Sequence, residues 1–447
     1  MCSWSSVRKF LFLFGLNLVG FSAQANCSEQ LPSTLQLFWS APIVVNSEEI
    51  AVVGRTHVPA KETGVSFLKA ATTSDGHIIF LGKLFDPISY KTVLFKNAEQ
   101  SGPKGVVSLA LRGAASTFMG RTFGWGVSSH PTILSMAVNG PDAIWLGGAT
   151  NQYEGIASSY HSDAYLAKLD GFGKPIWEKA YKTGRTPAIT QMAIAASGDI
   201  IVVVQDYRSN EHWIALVNAN DGQLAWEKHL HDVSGVTIAP ITNDHFMIAG
   251  FTPVRDVPSH QEHVFVRTID IHGELGPAIV IRSEPYAGSE INLGTIRMAG
   301  SNEGAYVVSG WEVPFQQKPE LMKSYEVARV SPDGSLLWSK TLPDSFKLNP
   351  NMSGARFCSN PAVAILPNGD GLVACVLGGR VHLHKFDSRT GKNEQVNLPL
   401  PACNDDKRPV TLFLFVREDG QIWLAGTRPS NNIAPICSWM GRLAAVK

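Results

Sequence analysis

The stretch "HWIALVNANDGQLAWEKHL", residues 212–230, combines an apolar strand, a turn of Asn, Asp and Gly, and a second strand whose Trp stands four residues after the Gly. A close copy, "DAYLAKLDGFGKPIWEKAY", occupies residues 163–181. Asn, Asp and Gly tolerate the positive φ angles of tight hairpin turns. The stretch therefore predicts an antiparallel β-hairpin, and its recurrence predicts a repeated building block rather than a catalytic element.

Less exact copies of this hairpin follow along the chain, at residues 263–281, 325–342 and 381–398, with a diverged copy at 90–111. A second, more uniformly apolar hairpin alternates with them, at residues 65–82, 133–148, 189–205, 235–250, 295–310, 361–379 and 411–426. We expect the uniformly apolar strands near the core and the Trp-containing hairpins to be half-exposed outer strands. Two hairpins make a four-stranded sheet that cannot bury both faces alone, so the repeat predicts an all-β fold, a β-propeller.

The ends of the chain predict how the ring closes. The last apolar hairpin is followed by one more strand at 437–447, which leaves the final sheet one strand short. "LQLFWSAPIVV", residues 35–45, places Trp39 at the Trp position of the repeat. We expect this N-terminal strand to complete the last of seven blades within one domain, residues 26–447. The segment 47–54 does not fit this count, so a count of eight blades stays open.

The repeat resembles that of a bacterial family of seven-bladed β-propellers. The octet "DAYLAKLD" at 163–170, with Gly173 and Trp177, follows the pattern D-A-(F/Y)-(V/L)-A-K-L-D-x-x-G-x-x-x-W. The segment "NANDGQLAW" at 218–226 is similar to quinoprotein-like propeller repeats, one of the WD-like repeat types. The resemblance implies the fold and implies no single activity.

The N-terminus has the features of a cleavable signal peptide. Arg8 and Lys9 precede an apolar stretch at 10–21, and Ala23-Gln24-Ala25 provides a cleavage pattern. The apolar stretch is shorter than the roughly 20 residues that cross a bilayer. We predict cleavage after Ala25, at residues 1–25, and a periplasmic or secreted location. Lipid attachment at Cys27 is disfavoured, because the preceding residues lack the aliphatic and small side chains that such processing favours.

The net charge limits the partners that we expect, and the cysteine content limits the disulfides. The formal net charge is zero, which gives no electrostatic reason to expect a nucleic acid partner. Five cysteines follow the predicted cleavage site, so at least one thiol is left over within a monomer. Cys358 and Cys403 bracket one predicted blade and form the candidate disulfide. Cys375 lies in a predicted strand, where we expect it to be a buried small apolar residue.

Signals for chemistry are sparse. His382 and His384 are two residues apart on one strand, so their side chains face the same way. The sequence indicates no third metal ligand, and we therefore interpret them as ordinary strand histidines. Asp370 within "NGDG" lacks the spacing of a calcium loop and indicates a turn. No G-x-S-x-G, H-E-x-x-H or P-loop motif occurs. We therefore predict no catalytic residue, no metal and no cofactor, although a site assembled from several blades would leave no motif.

Binding is expected at one face of the disc. Hairpin turns are short, whereas the connections between hairpins and between blades are long and share the opposite face, where binding residues usually lie. These long loops carry aromatic and arginine residues, which are enriched in interface hot spots: Phe118, Arg121, Phe123, Trp125, Tyr153, Tyr160, Tyr286, Trp311, Phe315 and Phe346. All except Tyr286 and Phe346 are candidates for contacting a partner.

The resulting hypothesis is an exported, non-enzymatic propeller that binds a protein partner through its long-loop face. One version is an envelope inhibitor, such as an immunity protein against a secreted toxin, and another is a scaffold for envelope assembly. The alternative class is an enzyme, either a quinoprotein dehydrogenase or a polysaccharide hydrolase or lyase. The oligomeric state is left open.

Overall fold

The computed structural model describes residues 35–45, 65–72, 78–85, 90–97, 107–114, 132–140, 143–150, 152–153, 160–171, 175–181, 186–209, 211–253, 262–282, 292–312, 323–342, 361–377, 380–399, 411–417, 420–428 and 437–445. These residues form β-strands and turns within one compact unit, residues 31–447. Within the described ranges, no helix has the length and apolar character that crossing a membrane requires. The predicted signal peptide at 1–25 lies outside these ranges.

The strands group into seven four-stranded antiparallel blades and one small hairpin. Blades 1 to 3 contain, in chain order, β2 Val65–Thr72, β3 Ile78–Phe85, β4 Tyr90–Asn97 and β5 Val107–Ala114; β6 Thr132–Asn139, β7 Ala143–Ala149, β10 Ala164–Asp170 and β11 Pro175–Tyr181; β12 Pro187–Ile194, β13 Ile200–Asp206, β14 His212–Val217 and β15 Leu224–Leu230. Blades 4 to 6 contain β16 Ser234–Pro240, β17 His245–Pro253, β18 Glu262–Asp270 and β19 Ile279–Arg282; β20 Asn292–Ser301, β21 Gly304–Glu312, β22 Lys323–Val330 and β23 Leu336–Thr341; β24 Ala362–Ile365, β25 Gly371–Leu377, β26 Arg380–Phe386 and β27 Asn393–Pro399. Blade 7 contains β28 Thr411–Val416, β29 Ile422–Arg428, β30 Cys437–Ala445 and β1 Leu35–Val45. The small hairpin, β8 Gln152–Tyr153 and β9 Tyr160–His161, belongs to the connection within blade 2.

The blades close into a ring. The first strand of each blade contacts the first strand of the next, from β2 through β6, β12, β16, β20, β24 and β28 back to β2. These seven strands surround the axis, and the fourth strands form the rim. The predicted seven-bladed propeller is confirmed and the count of eight is wrong, while the segment 47–54 that suggested it lies outside the described residues.

The N-terminal strand completes the last blade, as predicted. β1 pairs antiparallel with β30, and Trp39 faces Arg442 in the register. The far end of β1 also pairs parallel with β5, because Ile43 faces Val107 and Val45 faces Leu109. Blades 7 and 1 therefore share one continuous eight-stranded sheet at the point of closure.

The repeated Gly and Trp meet between neighbouring blades rather than within one hairpin. The Trp226 indole of blade 3 lies 3.1 Å from where a Cβ on Gly273 of blade 4 would stand, and its Nε1 donates to the Ile271 carbonyl at 2.8 Å. Trp177 contacts Gly222 in the same way, and Trp338 contacts Gly391. Each of these three Trp residues thus packs its ring on the glycine turn of the next blade and donates a hydrogen bond to that turn, so the motif is an inter-blade contact.

Blade 4 shows what replaces the Trp where the repeat lacks it. Ile279 Cδ1 lies 3.5 Å from the Cβ position of Gly334 in blade 5, so an aliphatic side chain covers this turn. No indole hydrogen bond joins blades 4 and 5 at this position, since the residue has no donor.

Burial of the outer hairpins differs from the prediction in one strand of each pair. β14 is buried along its whole length, and β10 is buried at five of its seven residues. The rim strand β11 is half-buried along most of its length and β15 is mostly exposed, so only the rim strand of each pair has the partial exposure that was expected. The third strand is covered on both faces because each blade packs between two others, and this demands an apolar strand.

We expect alanine substitutions at two turn glycines to separate backbone strain from the inter-blade contact. Gly420 has φ near +79°, and no atom of the described residues lies within 4 Å of where a Cβ would stand, so Gly420→Ala should cost about 1–2 kcal/mol of unfolding free energy from strain alone. Gly391 has φ near +66°, and a Cβ there would lie 2.8 Å from the Trp338 ring, so Gly391→Ala should cost about 1–3 kcal/mol more. Urea unfolding of both variants measures the difference; equal losses would contradict the packing role of Gly391.

Candidate functional site

A cleft of about 380 Å³ lies between blades 2 and 3. We call it the blade 2–3 cleft, and its lining is a mixture of aliphatic, aromatic and acidic side chains with one imidazole: Ala164, Tyr181, Ile189, Val202, Val204, Glu211, Trp213, Ala215, Leu224, Glu227 and His229. Its volume lies at the lower end of the range for ligand pockets, roughly 300–1,000 Å³.

The cleft exists because two facing positions carry alanine. Ala215 stands three residues before Asn218, whose N–H closes the outer turn of blade 3, and His384 stands three residues before the corresponding Asp387 of blade 6. Ala164 stands six residues before Asp170 of blade 2, as Tyr325 stands six residues before Ser331 at the corresponding turn of blade 5. Between blades 5 and 6 the buried Tyr325 and His384 occupy these positions, whereas between blades 2 and 3 the alanines leave the space open.

The blade 3 wall of the cleft is built from two cross-strand rows. Trp213 faces His229 and Ala215 faces Glu227 in the pairing of β14 with β15. The Trp213 and His229 rings lie 5.8 Å apart, and the His229 ring stacks in turn on His231 at 6.5 Å. His229 Nε2 lies 3.3 Å from Glu227 Oε1. The wall therefore combines an aromatic surface with a carboxylate–imidazole pair.

The opposite wall ends at Tyr181, the last residue of β11. Its hydroxyl donates to the Gly222 carbonyl of blade 3 at 2.9 Å. Burial, and then the nearby Asp221 carboxylate, raise the pKa of the Tyr181 phenol well above its usual range. The phenol therefore stays neutral at physiological pH.

The connection between β13 and β14 positions Glu211. Asp206, the last residue of β13, donates its N–H to the Glu211 carbonyl at 2.8 Å. Burial opposes ionisation of the Asp206 carboxyl, but hydrogen bonds from the Arg208 and Ser209 N–H groups and the Thr186 hydroxyl outweigh it and lower its pKa. The ionised carboxylate thus organises the turn that carries Glu211.

The cleft belongs to the long-loop face that was predicted to bind. Ala164 and Tyr181 stand at strand ends that join these connections, and Trp213 is the second residue of β14. The connection within blade 2 contains the hairpin β8–β9, in which Tyr153 faces Tyr160 in the register. The hairpin base is closed where Thr150 N–H donates to the Asp163 carbonyl and Asp163 N–H donates to the Thr150 hydroxyl, each at 2.8 Å. Two predicted candidates are thereby brought together, immediately before Ala164.

Most of the other predicted residues lie outside the ranges that the structure describes. The candidates that lie outside the described residues are Phe118, Arg121, Phe123, Trp125, Tyr286, Phe315, Phe346 and both cysteines of the candidate disulfide, Cys358 and Cys403. Trp311 was assigned to a long loop, which is wrong: it lies in β21, opposite Leu293 and Ser324. Cys375 is a buried free thiol in β25, as predicted.

The histidines and the aspartate of blade 6 have structural surroundings. His384 is buried, its ring stacks on Phe386 at 6.3 Å, and its Nδ1 lies 3.2 Å from Asn393 Nδ2. His382 Nδ1 lies 3.0 Å from Gln395 Nε2. Asp370 ends a tight turn, as predicted, and is also ion-paired with Lys385. Across the described ranges, no group of three His, Cys, Asp or Glu side chains is arranged to hold a metal.

Sequence reasoning missed the cleft residues Glu211, Trp213, Glu227 and His229. All four lie within or beside the quoted hairpin at 212–230, where the repeat drew attention to the turn and to Trp226. The available signal was the cluster of polar residues at its C-terminal end, "EKHLH", combined with an extra Trp at position 213. Ala164 and Ala215 carry no sequence signal, because alanine is common in buried strands.

Comparison with known proteins supports the fold and does not identify a function. No protein-family model matches the chain. No curated protein matches it either. Among solved structures it is similar to polysaccharide lyase Uly1, with a TM-score of 0.52 and 10% identity over 92% of this chain and 99% of that one. It is also similar, with lower TM-scores, to the α-L-arabinanase of Penicillium chrysogenum (0.42, 11% identity, 91% of this chain and 98% of that one) and the sialidase of Trypanosoma rangeli (0.44, 10% identity, 91% of this chain and 58% of that one). The similarity to the lyase agrees with the propeller architecture described above.

Proposed function

We propose that this protein binds saccharides and that the blade 2–3 cleft holds the end of a glycan chain. The observation that carries the proposal is the wall in which Trp213 and His229 lie 5.8 Å apart beside the Glu227 carboxylate. A sugar ring has apolar C–H faces that pack on aromatic rings, and hydroxyl groups that donate to carboxylates in charge-assisted hydrogen bonds. The fold likeness to a polysaccharide lyase is in keeping with this ligand class.

The test is binding of defined oligosaccharides to the purified protein, first on a glycan array and then by titration calorimetry. His229→Ala should weaken the affinity for a bound glycan about tenfold, because it removes an aromatic surface and a hydrogen-bonding group from the wall. His272→Ala is the matched control, since it removes an exposed imidazole from a blade 4 turn outside the cleft. If no glycan binds, or if both variants bind like the parent protein, the proposal is wrong.

A catalytic role on polysaccharide is the second candidate, and the contact between His229 and Glu227 favours it. A carboxylate beside an imidazole is the kind of pair that transfers protons in general acid–base catalysis. Chromatography of a bound polysaccharide after incubation would show shortened products. Products that persist in Glu227→Gln would exclude this pair as the catalytic one.

Binding of a protein partner through the long loops stays a prediction, including its version as an envelope inhibitor or immunity protein and as an assembly scaffold. Among its described candidates, Trp311 lies in β21, and Tyr153 and Tyr160 lie on β8–β9, which ends three residues before the cleft residue Ala164. Recovery of one stoichiometric protein from an envelope extract, lost on deletion of residues 152–161, would support this function.

A further inference from the structure

Among the described residues, the charged side chains that line the blade 2–3 cleft are carboxylates. Its described lining contains the carboxylates of Glu211 and Glu227 and the imidazole of His229, but no Lys or Arg. The Asp221 carboxylate lies close enough to Tyr181 to raise the pKa of its phenol further. A cleft with this composition disfavours an anionic ligand and favours a cation.

The cations of the neighbouring strands are directed elsewhere. Lys168 of β10 donates to the Ala219 carbonyl at 2.9 Å and lies over the Trp145 ring. Lys179 of β11 packs against Gly222, and the Lys228 ammonium lies 3.8 Å from Glu274 of blade 4. None of these three lysines is among the described residues that line the cleft.

Comparison with the equivalent positions of blade 2 shows what is special about blade 3. In blade 2 the hydroxyl of Tyr165 donates to Glu178 at 3.0 Å, within one sheet. The corresponding residues of blade 3 are Trp213 and Glu227, because in both blades the Glu is paired with the alanine two residues after the aromatic residue, Ala167 or Ala215. Trp213 has no hydroxyl to offer, and Glu227 instead faces the cleft beside His229.

We infer that the saccharide taken by the blade 2–3 cleft carries primary amino groups, as glucosamine units do. This inference rests on the proposed saccharide function. An ammonium group would be attracted by the carboxylates of Glu211 and Glu227 and by the faces of Trp213 and Tyr181, since aromatic faces attract cations. The remainder of the sugar ring would pack along the aromatic wall.

The experiment compares three oligosaccharides of equal length: fully deacetylated glucosamine oligomers, N-acetylglucosamine oligomers and oligogalacturonate. Calorimetry at low salt should give about tenfold tighter binding of the glucosamine oligomer than of its acetylated form, and no measurable binding of the uronate. Added NaCl should weaken binding of the glucosamine oligomer, because salt screens exposed charges. Glu227→Gln should reduce the preference for the amine several-fold.

Glu394→Gln is the matched control, because Glu394 is a partly exposed carboxylate on the rim strand of blade 6, distant in the ring from the cleft. Thermal melting of both variants checks that they fold. Equal affinity for amine and acetylated oligomers, or equally tight binding of the polyamine spermidine, overturns the inference. Binding of other glycans on the array but of none of these three overturns the inference alone, whereas absence of binding to any glycan overturns the proposed function itself, so the two failures are distinguishable.

Discussion

Replacing Trp338 with alanine is expected to lower the free energy of unfolding by about 3–5 kcal/mol, the usual range for removing a buried Trp. The ring is 9% exposed and meets Tyr306 edge-on at 5.7 Å and Phe386 in a stack at 5.8 Å. Its Nε1 donates to the Ser388 carbonyl at 3.0 Å. The substitution removes the ring that packs blade 5 on blade 6. It also removes the indole N–H that donates to the Ser388 carbonyl in the outer turn of blade 6.

Chemical unfolding measures this loss, and the adjacent Leu337 supplies the control. Leu337 is 54% exposed on the same strand, so Leu337→Ala should change the unfolding free energy by no more than about 0.5 kcal/mol. Trp338→Phe should fall between the two, because it retains a ring and loses the indole N–H. A Trp338→Ala loss no larger than that of Leu337→Ala would contradict the inter-blade role of the repeated Trp.

Removing the Asp370 carboxylate is expected to destabilise the protein by a similar amount, about 3–5 kcal/mol. Asp370 Oδ2 lies 3.1 Å from Lys385 Nζ, and both side chains are no more than 10% exposed. Asp370 also accepts hydrogen bonds from the Ser388 N–H at 3.0 Å and the Asn368 amide at 2.9 Å. Asp370→Ala leaves a buried ammonium without its counter-charge and releases the link between the two turns of blade 6.

Blade 3 offers the matched control for this prediction. Asp199 accepts from the Ala219 N–H at 2.8 Å, the same link between turns, but Leu216 stands where blade 6 has Lys385. Asp199→Ala should therefore cost only about 1.5–3 kcal/mol, the range for a hydrogen bond to a charged group. Combining Asp370→Ala with Lys385→Met should recover part of the loss, because no charge is then left buried. Equal losses at Asp199 and Asp370 in urea unfolding would show that the ion pair adds nothing.

The architecture could be predicted from the sequence because the same two hairpins recur along the chain. Seven apolar hairpins, alternating with Gly-x-x-x-Trp hairpins, leave few arrangements that bury both faces of every sheet. Trp39 extended the pattern to the N-terminal strand and predicted the closure. The pattern did not show that Trp226 and Gly273 belong to different blades, since spacing within a hairpin says nothing about the neighbour on which it packs.

The candidate site could not be predicted in the same way. A cleft depends on what is missing from an interface, and Ala164 and Ala215 look ordinary in buried strands until their counterparts Tyr325 and His384 are seen to occupy the same place elsewhere. Tyr153 and Tyr160 were selected for their chemistry in a long loop, and only the register of β8 with β9 pairs them. Trp311 was assigned to a loop because the predicted strand ended at residue 310, whereas β21 continues to Glu312.

The pairing of β1 with β30 has a consequence for how the chain acquires its fold. β1 is synthesised roughly 400 residues before its partner β30, which at about 5–20 residues per second amounts to tens of seconds. During that interval the incomplete ring presents two unpaired strand edges, one on each side of the gap. Such edges are templates for pairing with other chains. Closure of the ring therefore requires β1 and β30 to be available together, and premature contact between partly made copies is a misfolding route that this topology opens.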